Sequence, residues 1–404
     1  MRRNGRPPPQ EAAVVHRIAL SSHDSVGLGH VRRNLALAHS LTRAVPSIVG
    51  EEVTGVLITG QASATAFPTP PGWDWVVVPS VSVDDTGYRS RHLAADIQRV
   101  TAMRAGVIAG VLRAFAPDLF VVDRHPFGVH GELRNALRDL RATHPSCTTV
   151  LGLRDVLDRP AVARAEFRTL GGARAVREHF DAIWVYGDPA VHDLRLSGET
   201  PPGLAPLISY TGYLAHGRPS RPAPAVEGPY VLTTVGGGSD GVHTAVAAAG
   251  ADLPAGHRHL IVTGPQMSDA DRDRVRAAAT RTGADVVQSV PDLPGLLERA
   301  AAVVTMGGYN TVCEVMSTST PALVVPRSGR RDEQRIRARA LERVGAIETV
   351  GANPLDSEAI AAFFRRTHQT RCARTGIELD GLSTAATLSA QLLAPTEGLT
   401  AHAI

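Results

Sequence analysis

The sequence predicts an α/β chain of two Rossmann-like domains with a cleft between them, and three observations carry that prediction. Short apolar strands alternate with helical stretches along most of the 404 residues. The pattern stops once, at a proline-rich break, and then restarts with the same strand, glycine loop and helix unit with which it began. Strands that alternate with helices imply parallel sheets covered on both faces. The length suits two domains of ordinary size better than one core.

Taken in order, residues 1–13 (MRRNGRPPPQEAA) start basic and run into prolines and a glutamate where a signal peptide would need an apolar run, so they read as a disordered tail. The first domain is expected over 14–215. It opens with the strand HRIALSS, the loop HDSVGLGH and a helix beginning near Val31, and further strands follow at EVTGVLITG, DWVVVPS, DLFVVD, TTVLGLRD and DAIWVYGD. Over 216–229 (HGRPSRPAPAVEGP) apolar periodicity ends and prolines cluster, as a linker requires. The second domain is expected over 230–355, from YVLTTVGGGSDG onward, with strands at HLIVTG, ADVVQSV, AAVVTM and PALVVP. Residues 356–404 contain helical stretches expected to pack back across the first domain.

Composition excludes several classes. Hydrophobic residues make up 43% and aromatics only 4%, a profile of buried parallel strands. The net charge of +3, from 42 basic and 39 acidic residues, lacks the concentrated basic excess of a nucleic-acid binder. Cys147, Cys313 and Cys372 are isolated and odd in number, which points to reduced thiols and a cytoplasmic protein. No run of eighteen apolar residues occurs, so no transmembrane span is expected, while peripheral contact with a membrane is left open.

Four segments carry chemistry. VVTMGGYNTVCEVMSTSTPALVVP joins an apolar strand, the pair Gly307 and Gly308, a helix carrying Glu314 and a second strand. Glycines let backbone N–H groups approach an anion, and the helix directs its positive end to the same place. A carboxylate two turns further on can accept the hydroxyls of a ribose, or can be a solvated helix residue. GGGSDG, with Gly237 and Ser239, offers amides and a hydroxyl to phosphate oxygens, or is a βα turn with Ser239 or Asp240 as N-cap. PRSGRRDEQRIRARALERVGA places Glu333 and Gln334 at the start of an arginine-rich helix, suited to sugar hydroxyls or forming a solvated basic face.

In the first domain the loop holds Gly27, Gly29 and His30, with His23 and Asp24 just before it. It departs from the dinucleotide fingerprint, since His30 and Val31 stand in the spacing to a third glycine, and an NAD site is disfavoured. The strand ends DLFVVDRHPFG and GLRDVLD add Asp123, Arg124 and His125, and Arg154 with Asp155. Ligands collect beyond the carboxyl ends of strands in such sheets, so these residues are placed to line the cleft.

In succession these pieces resemble the GT-B-fold glycosyltransferases, most closely the family of the UDP-N-acetylglucosamine transferase of peptidoglycan lipid synthesis. The resemblance lies in GLGH, in GGGSDG, in SVPDLPGLLERAAAVVTMGGYNTVCE and in PALVVPR followed by DEQRIRARALERVGA. VDRHPFG, GLRDVLD and MGGYNT are also similar to a group of bacterial sequences classed as glycosyltransferases. The resemblance implies a nucleoside-diphosphate-sugar donor in the second domain, UDP-linked by preference. Val290 would meet the base through its backbone and Glu314 the ribose. Ser239, Gly237 and the loop from Gly307 and Gly308 through Asn310 to Thr311 would hold the diphosphate, and Glu333 and Gln334 the sugar hydroxyls. The first domain would take the acceptor, with Gly27, Gly29, His23, Arg124 and His125 on that side and His30 near the reaction centre.

The implied chemistry is metal-independent displacement at the anomeric carbon with inversion, needing no cofactor. His30 is the first choice of base, followed by Asp24 and Asp123. Met306 and the basic loop from Arg327 to Arg331 depart from the family pattern. A sugar-nucleotide 2-epimerase and a non-catalytic nucleotide-sugar binder are the competing readings on the same scaffold.

Overall fold

The computed structural model describes residues 15–23, 27–84, 87–219, 226–327, 329, 331–351 and 355–394. Asp24 and the 1–13 tail lie outside these residues, as does much of the 216–229 linker. The first domain runs β1 (Val15–Ser21), α1 (Gly29–Val49), β2 (Glu52–Thr59), β3 (Trp73–Val77), β4 (Val81–Asp84), β5 (Gly87–Ser90), α2 (Ile97–Phe115), β6 (Leu119–Asp123), α3 (Arg134–Thr143), β7 (Thr148–Arg154), α4 (Pro160–Thr169), α5 (Gly172–Arg177), β8 (Ala182–Tyr186) and β9 (Ile208–Tyr210). The second runs β10 (Tyr230–Thr234), α6 (Val242–Ala249), β11 (Arg258–Val262), α7 (Asp269–Ala279), β12 (Asp285–Val287), α8 (Leu293–Arg299), β13 (Val303–Thr305), α9 (Tyr309–Met316), β14 (Ala322–Val324), α10 (Glu333–Arg343) and β15 (Glu348–Thr349). Two helices close the described chain, α11 (Ser357–Thr367) and α12 (Gly381–Leu393).

The first sheet has seven strands in the order β3-β2-β1-β6-β7-β8-β9, every neighbouring pair parallel. The second has six in the order β12-β11-β10-β13-β14-β15, again parallel throughout. β6, β10, β13 and β14 are buried at every position, which is why they read as unbroken apolar runs. Strand order reverses between β1 and β6 in one sheet and between β10 and β13 in the other. A crevice opens at such a reversal, outside the carboxyl ends of the strands. The loops that follow these four strands are GLGH, Asp123 to His125, GGGSDG and MGGYN, so both reversals carry the segments read as functional.

The two closing helices part company. α11 buries Ile360, Phe363 and Phe364 with Val231, Ala248 and Val304 of the second domain. α12 crosses to α1, where Ser40 Oγ donates to the Leu382 carbonyl at 2.9 Å. The β4–β5 hairpin, antiparallel and outside both sheets, was not anticipated from the sequence. Its Asp84 ends β4 and pairs with Arg89 at 3.2 Å.

Candidate functional site

α1 begins at Gly29, two residues earlier than expected, so His30 stands in its first turn with the side chain directed at the end of β6. Its Nδ1 lies 2.8 Å from Asp123 Oδ2. Arg33, one turn further along, grips the same carboxylate with Nη2 at 2.8 and 2.6 Å and Nε at 3.2 Å. Arg33 and Asp123 are 2% and 1% exposed, so this is an ion pair out of water. Arg33 Nη2 also lies 2.8 Å from His30 Nδ1, but a guanidinium only donates, and Nδ1 cannot both accept from it and donate to Asp123. Carboxylate charge favours the protonated Nδ1, which assigns the proton there and leaves the Nε2 lone pair on the opposite edge of the ring.

The electrostatics set the charge of the ring. Burial pushes the His30 pKa down to about 4 against the pull of Asp123, and Arg33 and Arg154 add to the depression. Burial alone would raise Asp123, yet Arg33 and His30 outweigh it and hold the carboxyl well below the usual range. At neutral pH the arrangement is a neutral imidazole on an ionised carboxylate. That is the state a general base must start from.

Around His30 is a group of rings. His23 lies with its centroid 5.8 Å from His30, 3.9 Å from His125 and 6.1 Å from Tyr88, whose hydroxyl is 3.2 Å from His23 Nε2. Burial lowers the pKa of both His23 and His125 well below the ordinary value, so these imidazoles are also neutral. Arg124 adopts φ 70, a conformation that strains a non-glycine residue. Its backbone N–H donates to the Gly152 carbonyl at 2.7 Å, and its Nη2 reaches Glu166 at 2.9 Å.

The opposite wall comes from the second domain. α6 and α9 open with glycine at the cap position, Gly241 and Gly308, and no side chain caps either helix. Neither Ser239 nor Asp240 is therefore the N-cap; Ser239 is exposed and its Oγ lies 3.4 Å from Asp240 Oδ1. Gly237 precedes Gly238, whose φ is +94 and where a Cβ would collide with the Thr263 carbonyl oxygen. The paired glycines of MGGYN differ in what they do. A Cβ on Gly307 would press on Gln334 at 3.1 Å, whereas among the described residues nothing beyond its own chain neighbours and helix backbone comes within 4 Å of one on Gly308. Gly307 thus serves packing, and Gly308 leaves room beside the uncapped N–H groups of α9.

Glu314 is 1% exposed, and its Oε1 is held by Arg32 Nη2 at 2.5 Å with Arg218 Nη1 at 3.8 Å. Its Oε2 is buried with no hydrogen-bond partner. Asn310 Nδ2 donates to the Gly29 carbonyl at 2.7 Å, joining the two loops directly. Thr311 is buried in the same helix. Glu333 accepts from Arg327 Nη2 at 2.6 Å, and the Arg327 N–H donates to Gln334 Oε1 at 3.1 Å. Val290 is half-buried, packed against the core.

Several residues at the cleft were not singled out from the sequence. Arg337 Nη2 and Nε bind Asp155 at 2.6 and 2.8 Å while Nη1 donates to the Gly307 carbonyl at 2.8 Å, clamping the two domains through a fully buried pair. Tyr309 lies beneath both Arg33 and Arg337, 5.5 and 5.6 Å from its ring centroid, and its hydroxyl accepts from the Leu214 N–H at 3.2 Å. Gln266 reaches Gly27: its Oε1 would lie 3.4 Å from a Cβ there. Among the described residues no three His, Cys, Asp or Glu side chains converge to hold a metal ion. Among the described residues no helix is long and apolar enough to cross a membrane.

Residues 231–375 match the glycosyltransferase family 28 C-terminal domain. The UDP-N-acetylglucosamine--N-acetylmuramyl-(pentapeptide) pyrophosphoryl-undecaprenol N-acetylglucosamine transferase of Paramagnetospirillum magneticum is 30% identical over 189 residues, 44% of this chain and 51% of that protein. The chain therefore spans about half the length of that curated relative. Among solved structures, the glycosyltransferase SnogD from Streptomyces nogalater aligns over 95% of both chains at 17% identity and a TM-score of 0.54. Acinetobacter baumannii MurG aligns over 93% of this chain and 94% of its own at 14% identity and a TM-score of 0.50. The fold is that of the GT-B glycosyltransferases, and the second domain is of the family 28 type.

Proposed function

We propose that this chain, whose second domain is of the glycosyltransferase family 28 type, moves a sugar from a nucleoside-diphosphate donor to an acceptor hydroxyl. The observation that carries the reading is the His30–Asp123 pair, 2.8 Å apart with the carboxylate buried and the imidazole partly open, at one strand-order reversal, opposite the uncapped α9 at the other. In the reaction the acceptor O–H gives its proton to His30 Nε2. The oxygen bonds to the anomeric carbon from the side opposite the diphosphate, inverting the centre, and the C1–O bond breaks with its electron pair leaving on the diphosphate. Asp123 keeps the proton on Nδ1 and stabilises the imidazolium that forms. The N–H groups at Gly308 to Thr311 and the positive end of α9 meet the charge that develops on the leaving group. Glu314 Oε2, buried and without a partner, is suited to a ribose hydroxyl.

UDP-N-acetylglucosamine is the first donor to try, because the relative from Paramagnetospirillum magneticum is a UDP-N-acetylglucosamine-using transferase by name. The test is a panel of UDP, TDP and GDP sugars. Stabilisation of the folded protein by one of them, followed by release of the matching nucleoside diphosphate only when an acceptor is added, is the expected result. A protein stabilised by none of them refutes the reading. Conversion of the donor without an acceptor assigns the epimerase chemistry instead.

A further inference from the structure

The arginines of the cleft have carboxylate partners with one exception. Arg33 has Asp123, Arg337 has Asp155, and Arg124 and Arg331 share Glu166. Arg327 holds Glu333 and Asp240, and Arg32 and Arg218 face Glu314. The side chain of Arg154, the last residue of β7, makes no hydrogen bond or ion pair among the described residues, and its Nε is buried without an acceptor. Glu333, across the cleft, is the carboxylate that acts on it most strongly, while Arg124, Arg337 and Arg33 repel it; its own charge is felt at His30. Its charge is therefore felt by both the proposed base and the first residue of α10. Burial lowers its pKa to about 9, which marks how poorly the surroundings satisfy the cation.

Two further atoms nearby are unsatisfied. Arg124 Nε, at the end of the adjacent strand β6, is buried with no acceptor, and so is Glu333 Oε2 with no donor. Buried polar groups left without partners are costly, and a charged one most of all. One ligand chemistry completes all three: an anion for the two forks, joined to a hydroxyl-bearing ring for the carboxylate. We infer that Arg154, with Arg124 Nε beside it, binds a phosphoryl group of a substrate whose sugar hydroxyl donates to Glu333 Oε2. The identity of that substrate as a glycosyl donor or its acceptor rests on the transfer reading above; the anion site itself does not. Guanidinium suits this role because its planar fork meets two phosphate oxygens at once.

Two sources supply such a group, the donor diphosphate and a phosphate on the acceptor. The experiment is calorimetric titration of the full chain and of R154Q and R154K with inorganic pyrophosphate and with UDP, and of the UDP-saturated proteins with pyrophosphate. Loss of a charge-assisted bond should weaken binding by about ten- to a hundredfold in R154Q, and by less in R154K. A UDP affinity lost in R154Q assigns the donor diphosphate. UDP affinity retained, with pyrophosphate binding to the UDP-saturated protein lost, assigns the acceptor phosphate. Removing an unpaired, half-buried cation should also leave the ligand-free melting temperature unchanged or raised. Pyrophosphate and UDP affinities within twofold of wild type in both variants overturn the inference, as does a wild-type protein that binds neither. Anion binding through Arg154 in a protein that consumes no nucleotide sugar would sink the transfer reading and leave the site standing.

Discussion

Asp123→Asn separates two tasks that the carboxylate performs at once, pairing Arg33 and orienting His30. With the charge gone, Arg33 is a guanidinium 2% exposed with no carboxylate. Breaking a buried ion pair from one side typically costs about 3–5 kcal/mol. Here the Tyr309 and Tyr186 rings, 5.5 and 5.9 Å from the guanidinium carbon, still face the cation, which puts the expected cost at the lower end of that range, about 3 kcal/mol. Turnover should fall by about 10²–10⁴-fold, because a carboxamide no longer fixes the proton on Nδ1. The diagnostic variant is Asp123→Asn with Arg33→Met, which removes the stranded cation and keeps an unbranched apolar chain between the rings. Urea midpoints should show most of the lost stability recovered. Initial rates of nucleoside diphosphate release should stay as low as in the single variant. If activity returns with stability, Asp123 serves only as the counter-ion of Arg33 and the orientation argument fails.

Two predictions concern protons. The acid limb of kcat/KM should fall near pH 4, where burial places the His30 imidazole, and be abolished with the activity in His30→Gln; a limb near 6.5 would mean a solvated base elsewhere. His259 is buried on β11, bonded to Thr233 Oγ1 at 2.8 Å, and burial pushes its pKa down to about 3. The unfolded chain takes up this proton near pH 6.5 and the folded chain does not, so the contribution is present above pH 6.5 and lost as pH falls towards 3. At pH 5 the loss is about 2 kcal/mol, so His259→Gln should narrow the stability difference between pH 7.5 and 5 by that amount in urea titrations, and an unchanged difference refutes it.

What the sequence made legible was whatever depends on near neighbours. Glycine runs between an apolar strand and a helix announce a loop at the end of a buried strand, and three such loops, GLGH, GGGSDG and MGGYN, fall at the two strand-order reversals. Arg33 and Arg337 were not legible, because a buried arginine in a helix has the same local pattern as a solvated one. In α10, Arg335 and Arg339 are exposed while Arg337 between them is buried, and the partner that makes this tolerable, Asp155, lies in another domain. His30 and Asp123 were both candidates for the base, and nothing local says that one orients the other. That relation comes from β1 and β6 being adjacent in the sheet although far apart in the chain. The β4–β5 hairpin escaped because strands of four residues give too short an alternation to read.

The cleft is closed in a way that bears on donor binding. Glu314, assigned to the ribose, has Oε1 already held by Arg32, while Asn310 to Gly29 and Arg337 to Asp155 tie the same two walls together. A ribose that needs both carboxylate oxygens must displace Arg32, whose own side chain is 38% exposed and has water to turn to. Arg32 is then a competitor of the donor. A charge-assisted bond of this kind is worth about 1.5–3 kcal/mol, reduced to roughly 1 kcal/mol by the exposure of the arginine, so Arg32→Ala should tighten UDP binding by about fivefold. Glu314→Gln should weaken it by about tenfold or more with the fold intact. Arg218, 3.8 Å away, keeps Glu314 from being stranded in the first variant. Calorimetry on the two variants distinguishes the alternatives: if both substitutions weaken UDP binding, Arg32 is itself a ligand of the donor and the pair to Glu314 positions it for that task.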